Sequence, residues 1–585
     1  MYCPECGSRI DDESALFCQE CGTRVRDEVP ERGIGVGETY AAGDGDFIAQ
    51  DKMTYGLLLT NVTLLAQKLH VAKNEVERLI QAFISVKKEH GVAWRLVDAG
   101  DYTYYGNTGW GRQRTVRLGA SDKLGAYMDI LMDVHQYEQG NGLPESQYLF
   151  IIGGDDIIPM PCVRHYFPDP DLDKTIDTDL LYAYPYGEEM IGALESRQIF
   201  CYEPLFMVGR LPLAEDAVMN DLLGYLQRSI DHSHGIPVYG AYGQCDPHWK
   251  NVSVRVADDL IQSELLPSRE GQFPPTWYYH RVMLSPEVVD TTVEQVFNTD
   301  ATLYFFNLHG SDAREARGYF GVRMGERGGL QVIRPEHLAM LGQPNIVMTE
   351  ACYGARFIGL DKAHSMLLTA MSAQTLAFVG SSRTSYGNVD PNKGATPQNV
   401  GIGLADVIAA AFMRALLLGY SVGQAFYASR CSVFKAGPDD QKTALTLVEF
   451  NLFGDPTLAL SVPEYKKNIT NNLKKTDLMA TEEQLFCHVE TMKVAEPSKL
   501  SILNMVRGAV DSSIAQIRQS VADHLYACYG IEPRPADRVL AMRYADGREE
   551  MQFHYSSPTD GKHVCCQYIV TTTKQGEIKE VYASR

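Results

Sequence analysis

The sequence predicts an α/β protein centred on a doubly wound, mostly parallel sheet in two subdomains. From Met53 to about residue 462, short apolar runs alternate with longer stretches of helical period. This alternation is typical of parallel strands covered by helices on both faces. Paired cysteine motifs precede the region, and a helical stretch with turn-separated strands follows it. We therefore expect a small metal-binding segment at one end and an α+β module at the other.

The composition disfavours polyanions as partners. The chain has 585 residues and a formal net charge of −21, which argues against nucleic acid and anionic membranes. The first residues lack a basic region followed by an apolar run, so we expect no secretory signal. Charges interrupt the longest apolar stretches, so we also expect no membrane span. The thirteen cysteines then predict thiols and metal ligands in a cytoplasmic protein.

Residues 1–25 carry two CxxC motifs, each followed by glycine. Their thiols, Cys3, Cys6, Cys18 and Cys21, have the spacing of a tetrahedral structural Zn²⁺ site, and so short a segment needs the metal to fold. The sequence therefore predicts a zinc ribbon. Five acidic residues against two basic ones favour a protein contact or a purely structural cap over nucleic acid. Residues 26–52, rich in glycine and acidic residues, are predicted to be a flexible linker.

Residues 53–215 form the first predicted α/β subdomain. Apolar, β-branched runs predict its strands, and apolar residues at helical spacing predict its helices. The predicted elements are strand 55–60, helix 61–90, strand 92–97, an exposed loop at 101–118, helix 123–137 and strand 147–152.

Residues 216–462 form the second predicted subdomain, which holds the reactive residues. Its predicted elements are helix 216–233, strand 238–242, helix 252–264, strand 276–282, helix 286–298, two strands that end near His309 and Cys352, helix 360–373, strand 375–380 and helices 401–418 and 422–434. The glycine-rich, charged residues 311–329 are predicted to be a loop. It is either a solvated surface loop or a site of regulated ordering or self-cleavage.

The C-terminal part is predicted to be a linker, residues 463–499, and an α+β module, residues 500–585. Apolar residues at helical spacing predict a helix within 500–529, and tight turns such as Asp546-Gly547 separate the strands that follow. The predicted strands are 538–544, 549–556, 562–573 and 577–583. One helix over an antiparallel sheet is compatible with partner docking, with control of the activity, or with plain packing.

Two apolar strands each lead to a reactive side chain. Residues 303–308 precede His309 and Gly310, and residues 345–351 precede Cys352. If the strands are parallel neighbours, both side chains emerge at the carboxyl edge of the sheet, where open α/β sheets place their sites. An imidazole beside a thiol promotes the nucleophilic thiolate, and the backbone N–H groups of Gly310 and Cys352 would form an oxyanion hole. The alternative is a structural cysteine and a core histidine that merely share a sheet.

These two segments resemble those of the caspase, legumain and gingipain group of cysteine peptidases, in His309-Gly310 and in the run Glu350-Ala351-Cys352-Tyr353-Gly354. Residues 148–159, 206–212 and 452–458 resemble landmarks of the gingipain branch and occur in its order. The resemblance covers roughly residues 53–462 and implies a caspase-like fold. It implies that His309 is the general base, that Cys352 forms a thioester with a protein or peptide substrate, and that catalysis needs no cofactor.

The resemblance also implies a substrate pocket beside the catalytic pair. Gingipain-type enzymes select a basic side chain with a buried acid, and Asp246 is the candidate here, which favours Arg or Lys at the cleaved bond. Lys250 in that position would instead favour acidic substrates. Glu350 would orient His309, polarise the site, or form an ordinary salt bridge. Arg383 and Tyr386 resemble a pocket wall.

Three functions are compatible with the sequence. The first is an intracellular cysteine endopeptidase of signalling or defence, controlled by a protein partner through the zinc ribbon or the C-terminal module. The second is a catalytically silent caspase-fold binding scaffold, although the presence of both His309 and Cys352 speaks against it. The third is an acyl transferase, since a thioester formed by the same dyad reacts with an amine as well as with water.

We predict that the N-terminal segment binds about one zinc ion per chain. A Cys3→Ser/Cys21→Ser double variant removes one thiolate from each CxxC motif, so zinc measured by elemental analysis should fall close to zero. A matched Cys162→Ser/Cys528→Ser variant, outside the predicted ribbon, should keep the metal. Equal zinc in both variants would contradict the ribbon.

Overall fold

The three-dimensional arrangement comes from a computed structural model of the chain. The structure describes residues 53–107, 113–165, 172–184, 198–201, 204–266, 282–285, 301–312, 318–322, 329–390, 395–436, 441–462, 490–493, 497–502, 512–529, 536–544, 548–558 and 565–584. The predicted zinc ligands Cys3, Cys6, Cys18 and Cys21 lie outside these residues. So do most of the predicted strand 276–282 and all of the predicted helix 286–298.

Strands and helices alternate through the first two thirds of the chain, and strands dominate its C-terminal part. The strands are β1 Thr54–Thr60, β2 Val92–Asp98, β3 Tyr102–Asn107, β4 Gln113–Val116, β5 Tyr148–Ile152, β6 Cys162–Arg164, β7 Thr175–Asp177, β8 Gln198–Cys201, β9 Met207–Leu211, β10 Ala241–Cys245, β11 Val282–Ser285, β12 Leu303–Asn307, β13 Tyr319–Val322, β14 Gly329–Ile333, β15 Asn345–Thr349, β16 Thr375–Ser381, β17 Tyr386–Asn388, β18 Phe450–Gly454, β19 Glu490–Lys493, β20 Pro497–Ile502, β21 Arg538–Tyr544, β22 Glu549–Pro558, β23 Cys565–Thr573 and β24 Ile578–Ser584. The α-helices are α1 Val62–Lys68, α2 Lys73–Glu89, α3 Leu124–Gly140, α4 Met219–Asp231, α5 Lys250–Val256, α6 Asp258–Gln262, α7 Pro335–Ala339, α8 Met366–Ser372, α9 Ala405–Leu417, α10 Val422–Ala436, α11 Gln441–Glu449 and α12 Ser512–Tyr529.

A ten-stranded sheet forms the centre of the protein. Its strand order is β11-β10-β12-β15-β16-β18-β9-β5-β1-β2. The five strands from β11 to β16 in this order are parallel to their neighbours, and so are the five strands from β18 to β2. The two sets meet at β16 and β18, which are antiparallel to each other. The predicted α/β fold with a mostly parallel sheet is therefore confirmed. Because β18 pairs with β9, the two sequence halves share one continuous sheet.

The central strands are buried on both faces, which explains their unbroken apolar sequences. Every residue of β5, YLFII, and of β12, LYFFN, is buried. The helices contribute single apolar stripes instead. In α2 these buried residues are Val76, Leu79, Ile80 and Phe83, which recur at the spacing of one helical face.

Some predicted elements differ from those observed. The predicted helix 61–90 is divided into α1 and α2 at His70, whose φ of 56° lies in the left-handed region that ends a helix. The predicted loop 101–118 contains the hairpin β3–β4, in which the hydroxyls of Thr103 and Thr115 are 2.9 Å apart. Within the predicted loop 311–329, residues 319–322 pair as β13 with β14. Strands β3 and β4 carry several polar residues, and β13, Tyr-Phe-Gly-Val, is only four residues long with a glycine inside it, so each gives a weak strand signal in the sequence.

The C-terminal module is an antiparallel sheet with one helix packed against it. Strands β20 to β24 pair in the order β24-β23-β22-β21-β20, and α12 contributes Ile517, Val521 and Leu525 to their apolar core. The sheet has a sixth strand, because β24 also pairs with β17, which belongs to the predicted second subdomain. In the part of the module that the structure describes, α12 packs against this antiparallel sheet as predicted. The predicted linker 463–499 contains β19 and the start of β20, and residues 500–502 of the predicted helix belong to β20.

A buried guanidinium ties three chain segments together. Arg210 of β9 donates to both carboxylate oxygens of Asp179, at 2.7 and 2.6 Å, and to the carbonyl oxygens of Gly153 and Ile158, at 2.9 and 2.8 Å. Arg210 has no solvent exposure. Gly153 and Arg210 belong to two of the landmark stretches recognised in the sequence, so these landmarks stabilise the fold.

A second buried ion pair holds α2 against the end of β18. The Nζ of Lys87 lies 3.0 Å from Asp455, and neither side chain is exposed. Burial raises the pKa of Asp455, but the Lys87 ammonium and the hydroxyls of Ser229 and Thr457 outweigh burial, so the pKa is lowered overall. Asp455 lies in the third landmark stretch. The carboxylate therefore stays ionised inside the protein and links helices α2 and α4 to the sheet.

The described residues contain neither a membrane-spanning helix nor a group of side chains arranged as a metal site. Among the helices that the structure describes, none combines the length and apolar character required to cross a bilayer. Within the same part of the chain, no group of three or more His, Cys, Asp and Glu side chains is arranged to hold a metal ion.

Replacing Arg210 with methionine should destabilise the fold strongly. The substitution leaves the Asp179 carboxylate buried without its cation, which typically costs about 3–5 kcal/mol. The free energy of unfolding in urea measures the effect. The matched variant is Arg117→Met, because the Arg117 side chain is 76% exposed beside Asp101 and its loss should change the stability little. Similar losses in both variants would show that the Arg210 site is not an anchor.

Candidate active site

Four strand ends meet at one edge of the central sheet. Strands β10, β12, β15 and β16 are consecutive parallel neighbours. Asp246 follows β10, His309 follows β12, Cys352 follows β15, and Ser385 follows β16. The predicted parallel pairing of the strands that precede His309 and Cys352 is observed. The sheet therefore delivers a carboxylate, an imidazole and a thiol to the same edge.

The backbones of the His309 and Cys352 segments touch at Gly310. A Cβ atom placed on Gly310 would lie 1.7 Å from the carbonyl oxygen of Cys352 and 3.1 Å from its backbone nitrogen. No side chain fits at that distance, so glycine is required here for close approach. The residue after the imidazole is thereby fixed against the residue that carries the thiol.

Cys352 begins a tight turn stabilised by hydrogen bonds. Tyr353 has a φ of 53°, a left-handed conformation that costs a residue with a side chain about 1–2 kcal/mol. The N–H of Tyr353 donates to the carbonyl of Arg383 at 2.8 Å, and its hydroxyl donates to Asp173 at 2.8 Å. The N–H of Gly354 donates back to Ala351 at 2.9 Å. These bonds hold the strained turn that sets the position of Cys352.

The sulfur of Cys352 faces the segment that follows β16. The backbone N–H of Ser385 donates to Sγ at 3.3 Å, and Cys352 is only 6% exposed. The thiol also donates to the Ser385 carbonyl oxygen at 3.5 Å. The N–H stabilises a thiolate at this position, and the carbonyl oxygen stabilises the thiol. Ser385 contributes through its backbone, so no side-chain pattern in the sequence identifies it.

The His309 ring is held between an aromatic ring and a carboxylate. Trp249 packs against it at a centroid distance of 4.5 Å and an interplanar angle of 64°. The Oδ2 atom of Asp246 lies 4.0 Å from Nε2 of His309. The backbone of His309 exchanges two N–H···O bonds of 2.8 Å with Phe320 of β13. Both the ring and the backbone of His309 are therefore fixed.

Asp246 is a fully buried, ionised carboxylate. Its Oδ1 atom lies 2.7 Å from Nδ1 of His248 and accepts the backbone N–H of His248 at 2.9 Å. Burial raises the pKa of Asp246, but the hydrogen bond from His248 and the nearby His309 outweigh burial, so the pKa is lowered. Burial lowers the pKa of His248, yet Asp246 raises it overall. A negative charge beside His309 favours the imidazolium form of that ring.

A cleft opens beside Cys352. Arg356 and His364 are among its lining residues, and the Nδ1 atom of His364 lies 2.5 Å from Asp361. The other lining residues are Ser311, Gly318, Tyr319, Tyr353, Leu360, Ser365 and Met366. The cleft leads from the surface to the residue that carries the thiol.

The predicted role of Asp246 in selecting the substrate side chain stays a prediction. Asp246 has no solvent exposure, as expected of a buried acid, and its carboxylate is directed at His248 and His309. Lys250 is exposed at the first residue of α5.

The other predicted pocket residues lie near the site but are engaged elsewhere. Tyr386 is 2% exposed and packs within the core under β24, which disagrees with an open pocket wall. The Nη2 atom of Arg383 lies 2.7 Å from Asp177, and its Nε donates to the carbonyl of Thr175, so its charge is directed at β7. Glu350 follows β15 and is fully buried, with its N–H donating to Phe306 at 2.9 Å.

A thiol and an imidazole at adjacent carboxyl ends of such a sheet are the features of a cysteine peptidase. The sequence model of peptidase family C25, the gingipain family, matches residues 66–461, and the chain belongs to this family. The protein is therefore a cysteine peptidase, a hydrolase. No curated protein matches the chain.

Solved structures with a similar arrangement include other peptidases. The Arg-specific cysteine proteinase gingipain R is 11% identical, with 92% of this chain and 98% of that chain covered and a TM-score of 0.43. A structure described only as a protease is 10% identical, with coverages of 91% and 97% and a TM-score of 0.42. The *Saccharomyces cerevisiae* separase–securin complex is 10% identical, with coverages of 56% and 17% and a TM-score of 0.28.

Replacing Gly310 with alanine should inactivate the site. The new Cβ collides with the Cys352 carbonyl, so the two segments must separate, and activity on a protein substrate should fall by at least about 100-fold. The matched variant is Gly342→Ala, where a Cβ meets nothing within 4 Å and activity should be kept. Circular dichroism and thermal melting serve as fold controls. Full activity in a folded Gly310→Ala protein would contradict the inferred contact.

Proposed function

We propose that the protein is an intracellular cysteine endopeptidase that cleaves proteins through a Cys352–His309 dyad and a thioester intermediate. The observation that carries the proposal is the backbone contact between Gly310 and Cys352 at adjacent strand ends. This contact joins the two segments that carry the reactive side chains. The Asp246 carboxylate beside His309 and the Ser385 N–H directed at Sγ both favour the ion pair of imidazolium and thiolate.

The proposed reaction uses one proton carrier. The imidazole of His309 takes the thiol proton, and the thiolate attacks the carbonyl carbon of the cleaved peptide bond. The tetrahedral intermediate breaks its C–N bond while the imidazolium gives its proton to the leaving amine, which leaves a thioester on Cys352. The imidazole then removes a proton from water, which attacks the thioester. The acid product leaves, and the thiol is restored.

The backbone nitrogens of Gly310 and Cys352 are the proposed oxyanion donors. The contact at Gly310 holds the two segments that carry these nitrogens together. The rigid turn at Tyr353 keeps the Cys352 nitrogen fixed, so little reorganisation is needed as negative charge develops. Donors held in this way typically contribute about 10²–10³ in rate each.

Asp246 is proposed to position His309 and stabilise its imidazolium form. Unit charges 4 Å apart attract by about 4 kcal/mol at an effective dielectric constant near 20. A carboxylate 4.0 Å from the ring therefore has a substantial effect on the charge of His309.

The intracellular location and the control of the enzyme are also part of the proposal. Cys162, Cys245, Cys431 and Cys528 carry thiols rather than disulfides, which suits a reducing compartment. The zinc ribbon is proposed as a contact for a regulatory protein. The C-terminal module is the second proposed control element, because its core includes Trp249, the residue packed on His309.

Labelling with iodoacetamide, followed by peptide mapping, tests the dyad. Cys352 should react fastest at neutral pH, and the rate should fall by about 10²–10⁴ in His309→Ala. Asp246→Asn should lower kcat while leaving the preferred residue at the cleaved bond unchanged, as expected for a positioning residue. A selectivity residue would change that preference instead.

An internal control for the labelling is Cys162, which is exposed but has a pKa raised by desolvation and by the neighbouring Asp177. Its slow labelling should be the same in wild type and His309→Ala. Cys352→Ala should lose both labelling at that position and cleavage of a casein substrate. Labelling of Cys352 no faster than Cys162, with no effect of His309→Ala, would overturn the proposal.

A further inference from the structure

The last strand of the accessory module lies next to the nucleophile. β24 pairs with β17, with Ser584 opposite Tyr386, Ala583 opposite Gly387, and Tyr582 opposite Asn388. β17 begins directly after Ser385, whose N–H donates to Sγ of Cys352. The contact with the reactive sulfur is therefore made by the residue immediately before the paired region.

The reactive sulfur lies on the same edge of β17 as β24. Backbone N–H groups along an extended strand point alternately to its two edges. The N–H of Asn388 donates to Asp406 at 2.8 Å, which is the edge away from β24. Gly387 therefore faces β24, and Ser385, two residues earlier, faces the same edge. The N–H of Ser385 donates to Sγ of Cys352. A chain that continues past Ser584 along the same edge of β17 therefore meets Cys352.

The direction of β24 is that of a substrate. β24 runs antiparallel to β17, so its chain advances from Tyr582 to Ser584 towards Cys352. A peptide laid along β17 in the same direction, at about 3.3 Å per residue, presents the carbonyl opposite Ser385 to the sulfur. The residues before the cleaved bond of a substrate need this orientation, because their acyl carbon becomes the thioester.

We propose that β24 occupies the edge of β17, the docking strand along which the main chain of an extended substrate lies, so that the accessory module holds the peptidase closed. The inference rests on the proposed function of Cys352 and His309. It assigns the C-terminal module as the inhibitor in cis.

The contacts around β24 show which interactions must break when the C-terminal module detaches from β17. β24 shares three residue pairs with β17 but five with β23, so the module can detach from β17 with its own sheet intact. The Lys442 ammonium lies 5.9 Å from the Tyr386 ring and 5.7 Å from the Tyr582 ring, which bridges the two strands. Trp249 and Val389 join the core of the module. Opening therefore uncovers the docking strand and one face of the Trp249–His309 pair together.

The test compares two reagents on the full-length protein. Iodoacetamide needs only a reactive sulfur, whereas a peptidyl acyloxymethyl ketone carrying the sequence of residues 581–585, Val-Tyr-Ala-Ser-Arg, also needs the β17 edge. Ala583→Pro removes the N–H opposite Gly387 and should release β24. Labelling of Cys352 by the peptidyl reagent should rise at least about tenfold, while labelling by iodoacetamide changes much less.

Three further variants complete the test. Lys579→Pro, at the irregularity in the β23 pairing and outside the pairs with β17, should change neither rate. Gly387→Pro frees β24 but also damages the docking strand, so the peptidyl rate should not rise. Tyr582→Ala leaves the backbone intact and should raise the peptidyl rate in the same direction, which keeps the test valid if Ala583→Pro fails to fold.

The outcomes separate the two proposals. If iodoacetamide labelling of Cys352 does not depend on His309, the proposed dyad is wrong. If that dependence holds and folded Ala583→Pro and Tyr582→Ala proteins react with the peptidyl reagent at the wild-type rate, the assignment of β24 as the occupant of the docking strand is overturned. A free peptide of residues 578–584 that slows labelling of Cys352 by the peptidyl reagent in the Ala583→Pro protein would further support β24 as the occupant.

Discussion

The contact between the backbones of Gly310 and Cys352 is the constraint on which the site depends. Two loops that follow adjacent parallel strands approach so closely that a Cβ would lie 1.7 Å from a carbonyl oxygen. Such an approach needs strands locked in register, a glycine on one side and a rigid turn on the other. The structure supplies the register through β12 and β15 and the turn through the left-handed Tyr353. Catalytic geometry is thus a consequence of sheet geometry, with little left to side-chain flexibility.

The sheet is in turn held by buried charges away from the site. Arg210 fixes the loop after β5 to Asp179, and Lys87 fixes α2 to Asp455 at the end of β18. Paired buried charges add little net stability compared with an apolar core, but removal of one partner is severe. This asymmetry gives a physical reason why such residues are as recognisable in the sequence as the reactive ones, although they lie far from the chemistry.

The sequence allowed the sheet and the reactive strands to be predicted, because continuous apolar runs of four to eight residues are local signals. It did not allow the surroundings of Asp246 and Tyr386 to be predicted. Both were assigned to a pocket, Asp246 as a buried acid and Tyr386 as an aromatic wall, and the distant segments that cover each residue leave no local signal in the sequence. Asp246 is enclosed by His248 and His309, and Tyr386 is covered by a strand almost 200 residues later. Pairing of β17 with β24 has no local signature in three residues of sequence.

The pairing of β17 with β24 also changes how the accessory module relates to the enzyme. A separate domain on a linker would leave the site unaffected by its presence, whereas this module shares a sheet with the segment that contacts the nucleophile. The same module contributes to the core around Trp249, so the position of the His309 ring and the exposure of the β17 edge depend on one interface. A ligand that binds the detached module more tightly than the docked module shifts the equilibrium between the two states. The size of the shift is set by the difference between its two affinities.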